Sequence, residues 1–134
     1  MITDISKENK LSEAVIGAAI EVHKELGGPG MLERVYEEAL MYELKERGIS
    51  YTNQLSIPVN YKTKTLANPF YLDLLIEKSL IVEVKAVSEM AAIFQAQVLT
   101  YLRLCNLKVG LVINFGLPRL IDGVNRVINN KYKP

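Results

Sequence analysis

From Leu72 to Lys85 the chain is almost wholly apolar, and its few exceptions restrict how it can fold. Glu77-Lys78-Ser79 interrupts the run as a tight turn, so the two sides read as strands of one hairpin. One strand spans Leu66 to Ile76, bent near Pro69, because proline cannot donate to a ladder. The other spans Leu80 to Lys85. The remaining exceptions are Asp73, Glu83 and Lys85. If residues pair symmetrically about Lys78, Asp73 lies opposite Glu83, each being five positions from the centre. Directly opposite side chains share a face, with Cβ atoms ~5 Å apart. Lys85, two residues beyond Glu83, projects from that same face. A register slip of one residue would undo the arrangement.

Two facing carboxylates in an apolar hairpin need a reason, since like charges directly opposite destabilise a sheet and a buried unpaired charge costs several kcal/mol. A hard divalent cation supplies one: Mg²⁺ favours carboxylate oxygens together with water and phosphate oxygens. A lysine alongside would orient the attacking water and stabilise charge on a phosphorus centre. An ion pair between Lys85 and one carboxylate at a sheet end is the structural alternative, and spacing alone leaves both open.

The flanking sequence supplies helices. Leu11, Val15, Ile16, Ala19, Ile20, Val22 and Leu26 recur at helical spacing and predict a helix from Leu11 to Leu26. Gly27-Gly28-Pro29-Gly30 ends it. A second helix is predicted from Met31 to Arg47, with Leu32, Val35, Tyr36, Ala39, Leu40 and Leu44 inward and Gly48 as its cap. A first strand carries Ile57, Val59 and Tyr61, followed by a turn at Lys62-Thr63-Lys64. Met90 to Leu104 is helical again, Val109 to Phe115 is an apolar strand suited to burial on both faces, and Val124 to Ile128 is a short edge strand. The order is α-α-β-β-β-α-β-β. The strand–helix–strand run from Leu80 to Phe115 should cross over into parallel pairing, while the hairpins are antiparallel. The expectation is an α/β fold of the α+β kind: a central mixed β-sheet flanked by helices. At 134 residues, with no linker or repeat, residues 1–134 form a single domain with its core at about 11–128.

Composition limits the partners. The chain is 49% hydrophobic and 23% charged, which suits a folded protein. No stretch approaches the ~20 apolar residues that span a bilayer, and Met1 to Lys10 lacks the apolar core of a secretory signal. The lone Cys105 lies in an apolar-periodic segment and reads as a small buried hydrophobe. These features point to the cytoplasm and away from the membrane. A net charge of +1 does not suit a protein that coats duplex nucleic acid through many phosphates, so such contact would need a local patch or a partner.

Other polar residues have two readings each. Gln97 and Tyr101, four apart on the crossover helix, could hold a phosphate or orient Lys85; equally, Tyr101 is core and Gln97 is solvated. Glu33 in the first turn of the second helix is favoured by the helix dipole alone, and Tyr36 is most simply core. His23 has no His or Cys companion at zinc spacing. The glycine turn lacks the following Lys-Ser or Lys-Thr of a phosphate-binding loop.

Asp73, a short hairpin and then Glu83-Val84-Lys85 resemble the signature of the PD-(D/E)XK nuclease superfamily. Gln97-x-x-x-Tyr101 resembles the further motif of its RecB-like members. Gly30-Met-Leu-Glu33-Arg-Val-Tyr36 is similar to the motif of the GxxExxY protein family, as are Ile57–Tyr61, Gln97–Leu102 and Gly110–Phe115. The likeness covers about Leu11 to Ile128. Leu72 stands where a proline commonly precedes the aspartate, and the glycine turn holds one extra residue before Gly30.

The resemblance implies a restriction-endonuclease-like αβββαβ core. It implies Asp73 and Glu83 as metal ligands, assisted by the Val84 carbonyl, with Lys85 as the catalytic lysine. It adds Glu33 as a metal-binding or water-positioning acid, and Gln97 and Tyr101 as contacts to the substrate strand. The function so implied is a Mg²⁺- or Mn²⁺-dependent nuclease hydrolysing phosphodiester bonds in DNA. The alternatives are a non-catalytic nucleic-acid-binding or protein-interaction module, and a small phosphate-ester hydrolase. A homodimer or a partner protein would suit so small a domain, though no residue pattern shows one.

Overall fold

The computed structural model describes residues 4–134; Met1 to Thr3, the start of the stretch read as lacking a signal, lie outside the described residues. Helix α1 spans Ser6–Glu25, starting before the expected Leu11. The Asp4 carboxylate accepts the Ser6 N–H at 2.9 Å and the Ser6 hydroxyl at 2.6 Å, a polar start that apolar periodicity cannot reveal. The helix ends as expected. Gly27 adopts φ +84°, and Gly27 and Gly28 donate to the Lys24 and His23 carbonyls at 3.1 and 2.8 Å, the paired bonds of a Schellman ending. Helix α2 spans Glu33–Glu46 and closes in the same way on Gly48.

Five strands form the main sheet in the order β1-β4-β5-β6-β7, from β1 Tyr51–Ile57, β4 Phe70–Ile76, β5 Leu80–Lys85, β6 Val109–Asn114 and β7 Val124–Ile128. Helix α3, Ala92–Cys105, connects β5 to a parallel β6, and the other neighbours are antiparallel. The mixed sheet flanked by helices is therefore as expected. The early strand differs. The ladder of β1 stops at Ile57, because Pro58 has no N–H to offer, and Asn60–Tyr61 (β2) pairs instead with Lys64–Thr65 (β3) in a separate small hairpin. The polar run Tyr51-Thr-Asn-Gln54, which lacks apolar alternation, supplies most of β1 as an edge strand. Residues 66–69 lie before β4, and the strand begins after Pro69.

Helices α1 and α2 cover one face of the sheet, burying Val15, Tyr36, Leu40 and Leu44 against Leu74, Ile76, Val82 and Val84. Helix α3 covers the other, burying Val98 and Leu102 against Ile57, Leu72, Ile81 and Val112. Val109–Asn114 is buried along its whole length between these layers. Among the described residues no helix is long and apolar enough to cross a membrane.

Candidate active site

The β4–β5 hairpin keeps the register expected about Lys78: Ile76 pairs with Leu80, Leu75 with Ile81 and Leu74 with Val82. Glu77 and Lys78 both take positive φ, +49° and +59°, and the Ser79 N–H closes the turn on the Ile76 carbonyl at 2.8 Å. Asp73 and Glu83 come next, but they do not continue the ladder. The Asp73 N–H donates to Glu83 Oε1 at 2.8 Å, and the Val84 N–H donates to Asp73 Oδ2 at 2.9 Å. Each carboxylate thus takes a backbone donor from the opposite strand, replacing a carbonyl. The two acids are thus tied across the gap, each to the other's strand, a pair of bonds that strand geometry alone did not foresee.

The gap is also where β4 changes faces. Leu74 and Ile76 pack with α1 and α2, whereas Leu72 packs under α3. Strict alternation would keep all three on one side. The neighbouring β1 residue, Gln54, lies in the left-handed region at φ +48° and is skipped by the β1–β4 pairing, which runs from Asn53↔Leu74 to Leu55↔Leu72. Left-handed backbone costs a non-glycine residue about 1–2 kcal/mol, and such strain gathers at functional sites. Gln54 spans two acids: its side-chain amide donates to Glu37 Oε1 at 2.9 Å and to Asp73 Oδ1 at 3.2 Å. Residues Glu37 and Gln54 are members of the cluster that sequence reasoning missed. Glu37 stands one turn after Glu33, so helical spacing could have flagged it, but nothing in the sequence pairs Gln54 with it.

The electrostatics follow from this convergence. Burial pushes the Glu83 carboxyl up to about 8, with the Asp73 charge adding to the rise and the Asp73 N–H bond and Lys85 opposing it. Glu33 is exposed as a residue, but its carboxyl end is drawn into the same field. Partial desolvation raises it, Asp73 raises it further, and Lys85 opposes. Desolvation raises Glu37 as well, opposed by its bond from Gln54 and reinforced by Asp73 and Glu33. The Tyr101 phenol is raised by burial and then by the charges of Glu83 and Asp73.

Asp73, Glu83, Glu33 and Lys85 therefore sense one another, as does Tyr101 from the α3 side. Lys85 forms no ion pair among the described residues; its ammonium sits 5.1 Å from the Phe94 ring centroid. The Lys85–carboxylate pair that spacing left open is absent there. Gln97 is half-buried one turn before Tyr101 and makes no hydrogen bond to the cluster among the described residues. In the described residues no group of three or more His, Cys, Asp or Glu is placed to hold a metal ion as the side chains stand.

Other sequence candidates have structural roles. Buried His23 bonds through Nε2 to the Leu117 carbonyl at 2.9 Å. Cys105 is half-buried, and burial pushes its thiol up, away from reactivity. Tyr36 is buried, stacks on Phe115 at 4.7 Å, donates its hydroxyl to the Gly28 carbonyl at 2.7 Å and accepts the Met31 N–H at 3.1 Å. It ties the glycine turn to α2 and so fixes where the helix, and Glu33, begins. Asn114, fully buried, accepts the Val87 and Gly116 N–H groups at 3.0 and 2.9 Å and anchors the segment that follows Lys85. A groove of about 570 Å³ between α1 and α2 is rimmed by Glu21, Glu25, Glu38 and Glu43 and shares no residue with the cluster, so volume does not mark the chemistry here.

A family model described as the PD-(D/E)XK nuclease superfamily matches residues 9–127. The chain belongs to that superfamily. No curated protein sequence and no solved structure matches it. The mixed sheet with flanking helices is consistent with the restriction-endonuclease-like fold of the PD-(D/E)XK superfamily, and membership suggests phosphodiester hydrolysis of the nuclease type.

Proposed function

We propose that residues 11–128 form one nuclease-like domain that hydrolyses phosphodiester bonds in DNA with the help of Mg²⁺ or Mn²⁺. The observation that carries this reading is the crossed Asp73–Glu83 pair beside an ammonium that pairs with neither acid. The donor set suits a hard divalent cation: oxygen ligands, clustered negative charge and one carboxyl raised to about 8 by burial among like charges. Asp73 and Glu83 would hold the ion, with the Val84 carbonyl and Glu33 as further oxygen donors, once Glu83 turns from the Asp73 N–H. Bound there, the ion would supply Lewis-acid stabilisation of phosphoryl charge and a lowered water pKa.

The protein's own groups divide the remaining work. The Lys85 Nζ donates to a non-bridging phosphate oxygen or orients the attacking water, and the Phe94 ring keeps that ammonium near the cluster. Gln54 fixes the Asp73 carboxylate from one side while the Val84 N–H fixes it from the other. Tyr101 and Gln97, on successive turns of α3, contact the substrate strand.

One observation favours the rival reading, a non-catalytic module. Both crossed carboxylates already have hydrogen-bond donors, so the fold accounts for them without an ion. The deciding measurement is cleavage of single- and double-stranded DNA with Mg²⁺, Mn²⁺ or EDTA, beside Lys85→Ala. Cleavage that needs the metal and is lost in the variant is the expected result. Binding without cleavage under every condition would establish the module.

A further inference from the structure

We propose that the site takes single-stranded nucleic acid in preference to duplex, its unpaired bases stacking on an aromatic rim and its phosphates meeting the lysines of the β2–β3 hairpin. This rests on the reading of the carboxylate cluster as a phosphodiester-cleaving site and names the form of its substrate.

The rim has one exposed ring, Phe70, outside the core clusters, beside Phe94 and Tyr101, which are half-buried against the core under α3. Phe70 is 41% exposed although it meets Tyr101 edge-on at 5.5 Å between centroids. It stands three residues before Asp73, ~10 Å along the strand. Phe94 lies under the Lys85 ammonium, and its neighbour Ile93 is 59% exposed in the first turn of α3. Phe70 and Ile93 thus leave large apolar side chains in water near the charged cluster, where a base could stack.

The small hairpin adds positive charge at the same end of the sheet. Antiparallel pairing places Ile57, the last residue of β1, opposite Phe70, the first of β4. The hairpin leaves the sheet from there, its base tied by the Leu66 N–H to the Val59 carbonyl at 2.8 Å. That end also carries Lys85, the last residue of β5, because β4 and β5 run in opposite directions. The hairpin presents Lys62, Lys64 and Tyr61, all exposed, with the Lys62 ammonium 5.4 Å from the Tyr61 ring centroid.

A short basic track at Lys62 and Lys64 beside the exposed rings of Tyr61 and Phe70 suits one form of nucleic acid. A duplex offers phosphates on two strands and hides its base faces, so binding it calls for many cations. This chain has a net charge of only +1. A single strand exposes base faces to stack on aromatic rings and needs only a short basic track for its backbone. DNA and RNA single strands share this chemistry.

The test separates binding from cleavage by working in EDTA. Fluorescence anisotropy is read on a labelled thymidine oligonucleotide of roughly 12 nucleotides, its uridine counterpart and a duplex of equal length, within the usual range of single-strand site sizes. At least one single strand should bind tenfold or more tighter than the duplex, and the tighter of the two identifies the sugar. Phe70→Ala should weaken that binding by roughly fivefold or more, the loss of one base–aromatic stack, and Phe70→Trp should retain it. Lys62→Ala with Lys64→Ala should flatten the slope of log affinity against log salt by about 1.4, at ~0.7 for each single-strand phosphate left without its lysine. Duplex bound as tightly as single strand, or Phe70→Ala binding like wild type, overturns the proposal. Single strands bound as described but never cut on adding Mn²⁺ overturn the catalytic reading and leave this surface standing. Duplex cleavage without single-strand preference does the reverse.

Discussion

The two halves of the β4–β5 hairpin obey different rules. Next to the turn, Leu74–Ile76 and Leu80–Val82 form a regular ladder of buried or half-buried apolar residues. From the next residue on, backbone donors go to side-chain carboxylates, β4 switches faces, and the neighbouring strand carries a left-handed glutamine. A carboxylate accepts a hydrogen bond as well as a carbonyl does and more strongly when ionised. The gap can therefore open without leaving a backbone N–H unsatisfied, and negative charge collects where carbonyls would have been. The regular half supplies the register; the open half uses it to bring acids from different strands together.

If that division is right, substitutions in the two halves should fail differently. Leu74 is fully buried in the regular half, and Leu74→Ala should cost about 2–5 kcal/mol of unfolding free energy by denaturant titration, the usual range for a leucine cavity. Any cleavage measured well below its unfolding midpoint should stay close to wild type. Lys85→Ala should change stability by no more than about 1 kcal/mol, because the side chain is half-buried and unpaired among the described residues, while cleavage falls about 10²–10³-fold. Equal losses of stability in both variants would dissolve the distinction.

The open half should also report on pH. Glu83 titrates at about 8 when folded, against an ordinary 4.5. Between those values the folded chain holds a proton that the unfolded chain has released, so stability falls as pH rises. The contribution is whole below about 4.5 and lost through about 8, and the raised Glu33 and Glu37 carboxyls act in the same direction. The melting temperature of the metal-free protein should decline from pH 5 to pH 8, with a shallower decline for Glu83→Gln. Millimolar Mn²⁺ at pH 8 should restore several degrees to wild type and little to the variant, since a ligand of the native state stabilises it by mass action. Parallel pH curves for the two proteins would remove Glu83 as the source.

The regular half was the part readable in the sequence. The apolar run and the Glu77-Lys78-Ser79 interruption gave the register, and β5 and β7 have the residues expected of them, because alternation, burial and turn chemistry agree there. The acids of the open half were visible as exceptions in an apolar run. Their crossed bonds were not, because one-strand periodicity carries no information on where a ladder stops. Gln54 and Glu37 were missed for a related reason: a glutamine in a polar edge strand and a glutamate on a helix are each ordinary, and only the tertiary contact joins them. The role of Tyr36 was hidden in the same way, since a buried tyrosine reads as core until its hydroxyl is seen to tie the glycine turn.

The smallest effects compare two of the left-handed residues. Lys78 at the turn has φ +59° and Gln54 at the gap has φ +48°, so glycine should relieve the backbone at either position. At exposed Lys78 nothing else is lost. Lys78→Gly should raise stability by about 0.5–1 kcal/mol, with cleavage unchanged. Gln54→Gly gains the same relief but removes the amide that joins Glu37 to Asp73. A buried carboxylate left without its donor costs about 1–3 kcal/mol, so this variant should end less stable than wild type by about 1 kcal/mol, with slower cleavage as Asp73 loses one of its two anchors. Replacing Gln54 by Asn keeps an amide and tolerates left-handed backbone, and should fall between the two. If both glycine variants gain stability alike, Gln54 is a second turn-like residue, and the bridge to Glu37 contributes nothing to the gap.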